Sequence, residues 1–103
     1  MIFLGISMAT LKIHCEASRL KFGKTYEEIQ LWLDEFHGKA PYFTRHRRLR
    51  HHEQGIREAV KIFGEHADAV ARQHIVIDLM DEGWVEFDHF PQDEKDYVKM
   101  GLW

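Results

Sequence analysis

At 103 residues, with 45% hydrophobic and 30% charged side chains, the chain can build one modest core and is too apolar for disorder. A formal net charge of −3 excludes a nucleic-acid-binding polycation, and a single cysteine, Cys15, excludes both an internal disulfide and an all-cysteine zinc site. Eight histidines are the one unusual count, and they need a chemical reason.

Residues 1–7, Met1-Ile2-Phe3-Leu4-Gly5-Ile6-Ser7, are apolar but lack a cationic start and a cleavage site, and they are too short to cross a bilayer. They read as an N-terminal extension, with Met8 an alternative start and an apolar strand or oligomer contact the other reading. The remainder, 8–103, is expected to be a single helical domain without a membrane segment, in a reducing, cytoplasmic setting.

Residues 9–22 fit a helix with Leu11, His14, Cys15, Ser18 and Phe22 on one stripe, closed by Gly23. Thr25-Tyr26-Glu27-Glu28 has the form of a capping box, and Ile29, Trp32, Leu33 and Phe36 trace an amphipathic face that runs to Gly38. Asp34 lies about 140° from Ile29 on that wheel and reads by periodicity as solvated. After a loop holding Pro41, Thr44 is a credible N-cap for a central helix running to Phe63. On that helix Leu49, Ile56, Val60 and Phe63 share one face, flanked by His46, His52 and Glu53. His51, Gly55, Ala59 and Ile62 form a second stripe, whose small residues allow another helix to approach. Only Arg47, Arg50, Gln54, Arg57 and Lys61 look wet throughout. A helix over about 67–82 places Ala67, Val70, Ala71, His74 and Asp78 together. Beyond it, Trp84 to Pro91 reads as irregular, Asp93 to Met100 as a short helix, and Trp103 as an apolar end. The fold class is therefore mainly α, a bundle of four to five helices with an irregular C-terminal segment whose aromatics offer a homo-oligomer contact.

The chemistry concentrates in the histidines. His74 and Asp78 are four apart, so an imidazole and a carboxylate project together and can grip one cation; alternatively Asp78 accepts a hydrogen bond and only orients His74. Burying such a pair among apolar residues is costly without partners. His14, His46 and His51 extend the candidate set. On a regular helix His46 and His51 diverge by about 140°, so both reach one site only if the helix is irregular between them. Imidazole-plus-carboxylate ligation suits a divalent transition metal, Zn, Mn, Fe or Ni. An open coordination position would make a metal-dependent hydrolase possible, with Asp34 or Glu53 as base. The chain has no Gly-rich phosphate loop and no G-x-S-x-G, and adjacent His14 and Cys15 face apart on a helix.

Arg45, Arg47, Arg48, Arg50 and Arg57 give a rival reading as a phosphate-binding face, with Tyr42, Phe43 and the tryptophans able to stack bases. Negative net charge and the lack of a helix-turn-helix or zinc-finger spacing weigh against nucleic acid. A third reading is a protein–protein or structural module without catalysis.

His14, Ser18, Phe22-Gly23, Tyr26, Asp34, Arg45-His46-Arg47, His51, Gly55-Ile56, Phe63-Gly64 and Gln73-His74…Asp78 form a spaced set over residues 14–78. The set resembles a family of small bacterial and phage-encoded proteins of unknown function with an R-H-R-x3-H … Q-H-x3-D pattern. The resemblance implies no activity. It favours His51 over His52 and raises Asp34 to a site candidate, and it departs at Gln30, where the pattern has histidine. The scattered His and Asp are also distantly similar to the helical His-Asp phosphohydrolases, although the contiguous dipeptide occurs here only reversed, as Asp88-His89. The predicted metal set is His14, Asp34, His46, His51, His74 and Asp78.

Overall fold

The computed structural model describes residues 10–103, so the apolar 1–7 segment lies outside the described residues. Five α-helices follow in order: α1 (Leu11–Phe22), α2 (Glu27–Leu33), α3 (Glu53–Phe63), α4 (Ala67–Asp81) and α5 (Glu94–Lys99). A 3-10 helix, Phe43–Leu49, lies between α2 and α3, and there is no strand among the described residues.

Helix α1 starts where the Thr10 side chain accepts from the Ile13 N–H, and it stops at Gly23, whose φ of 87° suits a residue without Cβ. The capping box at Thr25 does not form. Tyr26 stands at the N-cap of α2 in the left-handed region, without a side-chain cap bond. Helix α2 also ends at Leu33, well before Gly38, and Asp34 is its C-cap. An extrapolated wheel therefore misplaces Asp34, because the helical register stops one residue earlier.

The expected central helix is two elements. Its first part is the 3-10 helix; the chain then bends through Arg50 and His51, and His52 adopts extended backbone as N-cap of α3. Thr44 caps nothing in α3. The His52 Nδ1 accepts from the Gly55 N–H at 3.0 Å. The Pro91 and Gln92 carbonyls accept from the Glu53 and Gln54 N–H groups at 3.0 and 2.9 Å. These bonds satisfy donors that a helix start leaves free. Gly55 does admit a close neighbour, but that neighbour is the bend and not another helix: a Cβ there would lie 1.9 Å from the Arg50 carbonyl oxygen.

Helices α3 and α4 pack most extensively, α1 and α2 cover α4, and α5 docks on the 3-10 helix. Ile29, Leu33, Ile56, Ala59, Ala67, Val70, Ala71, Ile75, Leu79 and Tyr97 form the core. Ile62, expected on a buried stripe, is 59% exposed, and Arg47, expected wet, is 4% exposed. Trp84 and Phe90 pack against the core, whereas Phe87 is 92% exposed.

Candidate metal centre

Four imidazoles converge on two carboxylates. Helix α1 supplies His14, the 3-10 helix His46, the bend His51, and α4 both His74 and Asp78; the α2 C-cap supplies Asp34. The break after Leu49 removes the divergence that a regular helix would impose on His46 and His51. Nε2 of His14 lies 3.1 Å from Asp78 Oδ1, and Nε2 of His51 lies 2.8 Å from Asp78 Oδ2. Nε2 of His46 lies 3.1 Å from Asp34 Oδ1. Nε2 of His74 stands between the carboxylates, 3.4 Å from Asp34 Oδ1 and 3.3 Å from Asp78 Oδ2. The His14 and His74 rings stack with centroids 3.6 Å apart. Ligand atoms of His14, Asp34, His74 and Asp78 all fall within 4.8 Å of one another, a spacing that can hold one metal ion.

His51 is thus the inward member of the His51-His52 pair, and His52 is the helix cap. Glu53 is outside the cluster, with both carboxylate oxygens 3.0 Å from the Arg72 guanidinium. Cys15 is half-buried, and burial together with Glu27 pushes its thiol up, which keeps it protonated.

Gln30 supplies a constraint not foreseen from sequence. Its Nε2 donates to the Thr25 carbonyl at 3.1 Å, which fixes the amide so that Oε1 faces Nδ1 of His74 at 2.8 Å. His74 must therefore carry its proton on Nδ1. In neutral His74, Nε2 is then a lone pair aimed at two carboxylate oxygens, an arrangement that needs a cation between them, either a proton or a metal ion.

Arg47 is the other unforeseen member. Its guanidinium lies 3.4 Å from Asp78 Oδ1 and donates to Glu82 Oε2 at 2.8 Å. The Tyr97 hydroxyl donates to the same Glu82 oxygen at 3.0 Å. Spacing held a signal for Gln30, which precedes Asp34 by four, and for Glu82, the partner of Arg47, which follows Asp78 by four and extends the His74 face.

Burial alone would raise both aspartates. Hydrogen bonds from His46 and His74 override it at Asp34, and those from His14, His51 and His74 override it at Asp78, holding both well below the usual carboxylate range. Burial pushes His51 down to about 4. Burial opposes the charge on His74, but the two carboxylates prevail and raise it. The Nδ1 atoms of His14, His46 and His51 are buried with no partner among the described residues. The cluster is asymmetric: the Asp78 side chain is 2% exposed and that of Asp34 28%. His37, exposed, lies edge-on to His46 on the Asp34 side, with ring centroids 4.8 Å apart.

The arginines of the rival reading are mostly engaged. Arg48 meets Glu94 at 2.9 Å, Arg50 meets Glu35 at 2.7 Å and Arg57 lies 3.4 Å from Glu53, while Arg45 stacks over Trp103 at 4.7 Å. Among the described residues, no helix is long and apolar enough to cross a membrane.

No curated protein and no solved structure matches the chain. The family model described as "Domain of unknown function (DUF6915)" matches residues 9–100, and the chain belongs to that family.

Proposed function

We propose that this DUF6915 member binds a divalent transition metal, Zn, Mn, Fe or Ni, through His14, Asp34, His74 and Asp78, with His46 and His51 beside them. The observation that carries the reading is the Gln30 lock on His74. A side chain anchored by Thr25 dictates the tautomer that turns a lone pair toward two carboxylates. Ligating histidines are held in this way, by a partner on the ring nitrogen away from the ion. The neutral state expected of His51 at physiological pH suits ligation as well.

The exposure of Asp34 supports a finer reading, a metal-dependent hydrolase. A divalent ion with one open position acidifies water, and Asp34 lies on the side from which water and substrate would enter. The arginine face favours a nucleic-acid partner less, because four of its five guanidinium groups already meet carboxylates. A purely structural module would leave the fixed lone pair of His74 answered by a proton alone.

Elemental analysis of tag-free protein tests metal binding. The expected result is a transition metal retained through dialysis in wild type and lost in His74→Ala. Substoichiometric metal in wild type, or metal retained in His74→Ala, overturns the reading.

A further inference from the structure

We infer that the cluster holds two divalent cations, an inner one on His14, Asp34, His74 and Asp78 and an outer one on His46 and His51 that shares Asp34 with it. The inference rests on the metal-binding reading above. It begins from an excess of donors: four imidazole Nε2 atoms and two carboxylates converge, yet His46 and His51 stand outside the set whose ligand atoms lie within 4.8 Å of one another. That set of four already fills a four-coordinate ion, so it leaves these two histidines over.

They are not idle histidines. His46 is 3% and His51 0% exposed, and each has a buried Nδ1 without a partner among the described residues. Their polar engagement is therefore through Nε2 alone, directed at the cluster. Both Nε2 atoms face Asp34 Oδ1, at 3.1 Å for His46 and 3.5 Å for His51. Ligands on adjacent vertices around one ion with bonds of about 2.0–2.2 Å lie about 2.8–3.6 Å apart, a range that includes both spacings. His51 also lies 2.8 Å from Asp78 Oδ2, and His74 faces both carboxylates, so the two faces share a border rather than forming separate sites. Carboxylates with two oxygens each are suited to such a border.

The two positions are unequal. The inner one lies at the nearly sealed Asp78, the outer one at Asp34, whose side chain is 28% exposed. Two divalent ions exceed the charge of two carboxylates, and Arg47 adds a further positive charge 3.4 Å from Asp78 Oδ1. The second ion therefore binds more weakly than the first and exchanges with solvent.

Titration of the full chain with Mn²⁺, followed by electron paramagnetic resonance of free and bound ion, tests this. The expected result is two equivalents, the second at least about tenfold weaker, with exchange coupling between neighbouring ions when both are bound. His46→Ala and His46→Gln each keep the tight equivalent and lose the weak one, because His46 touches Asp34 and not Asp78. One equivalent in wild type overturns the second position and leaves the first standing. Two equivalents in both variants also overturn it, as does no bound Mn²⁺ in wild type, and the underlying reading falls with it where dialysed protein retains no transition metal either. The wild-type stoichiometry and coupling need no variant to fold.

Discussion

His51 and His52 are neighbours in the chain, both buried, and they serve different ends. The first turns Nε2 onto Asp78, while the second donates through Nε2 to the Arg48 carbonyl at 3.1 Å and caps α3 with Nδ1. Such a division needs neighbouring side chains to point in unrelated directions, which the bend allows. At the same scale, Gln30 determines what His74 offers. Replacing it with alanine removes the acceptor for Nδ1–H without touching a ligand, so metal affinity is expected to fall about 10–100-fold in competition titration. Unchanged affinity in Gln30→Ala would mean that the tautomer is set elsewhere. His74 and Asp78 were legible as a pair because four-residue spacing on a helix survives folding. Gln30 was visible only as a departure from a pattern, since an amide has no metal signature until its partner is known. Arg47 was misread as solvated because wheel geometry was extended through a segment that is not an α-helix.

At the scale of elements, the break between the 3-10 helix and α3 makes the site possible. It brings His46 and His51 to the same carboxylates, and the fit of Gly55 against Arg50 seals the bend. Gly55→Ala improves helix propensity by about 1 kcal/mol. Its Cβ nevertheless collides with a backbone oxygen that cannot rotate away, so a net loss of about 3 kcal/mol is expected in urea unfolding. His52→Ala removes the cap bond to Gly55 and is expected to cost about 1 kcal/mol while leaving metal stoichiometry unchanged. A loss of bound metal in His52→Ala would show that cap and cluster are coupled through the bend. Helix identities in α1, α4 and α5 were legible from caps and stripes. The early stop of α2 was not, because the amphipathic pattern continues to Phe36 and nothing local marks Leu33 as the end.

For the whole molecule, the radius of gyration of 13.0 Å is that of a compact globule of about this length. The cluster ties together five of its segments: α1, the end of α2, the 3-10 helix, the bend and α4. An ion bound there stabilises the folded chain by mass action, about 2.7 kcal/mol at a free concentration 100 times Kd, or roughly 10–20 °C in Tm. Differential scanning calorimetry with and without Zn²⁺ is expected to show that rise and its reversal by chelator. The C-terminal segment joins the same network through Tyr97, Glu82 and Arg47. Burial, then the charge of Glu82 and the bond to it, raise the Tyr97 phenol. A raised folded-state pKa leaves stability intact below the unfolded value of about 10 and erodes it as pH climbs beyond, since the unfolded chain releases a proton that the folded one keeps. Tyr97→Phe is expected to flatten that alkaline loss in chemical denaturation between pH 9 and about 11, and an identical pH profile in the variant would place the loss elsewhere.

On the proposed reading a cation lies between the carboxylates of Asp34 and Asp78. Anomalous diffraction from crystals of Zn²⁺-loaded protein, collected on both sides of the zinc edge, addresses it most directly. An edge-dependent peak is expected about 2.0–2.2 Å from Nε2 of His14 and His74 and from Oδ atoms of the two aspartates. A cluster without such a peak, with zinc found only at exposed histidines such as His66 or His89, would contradict it.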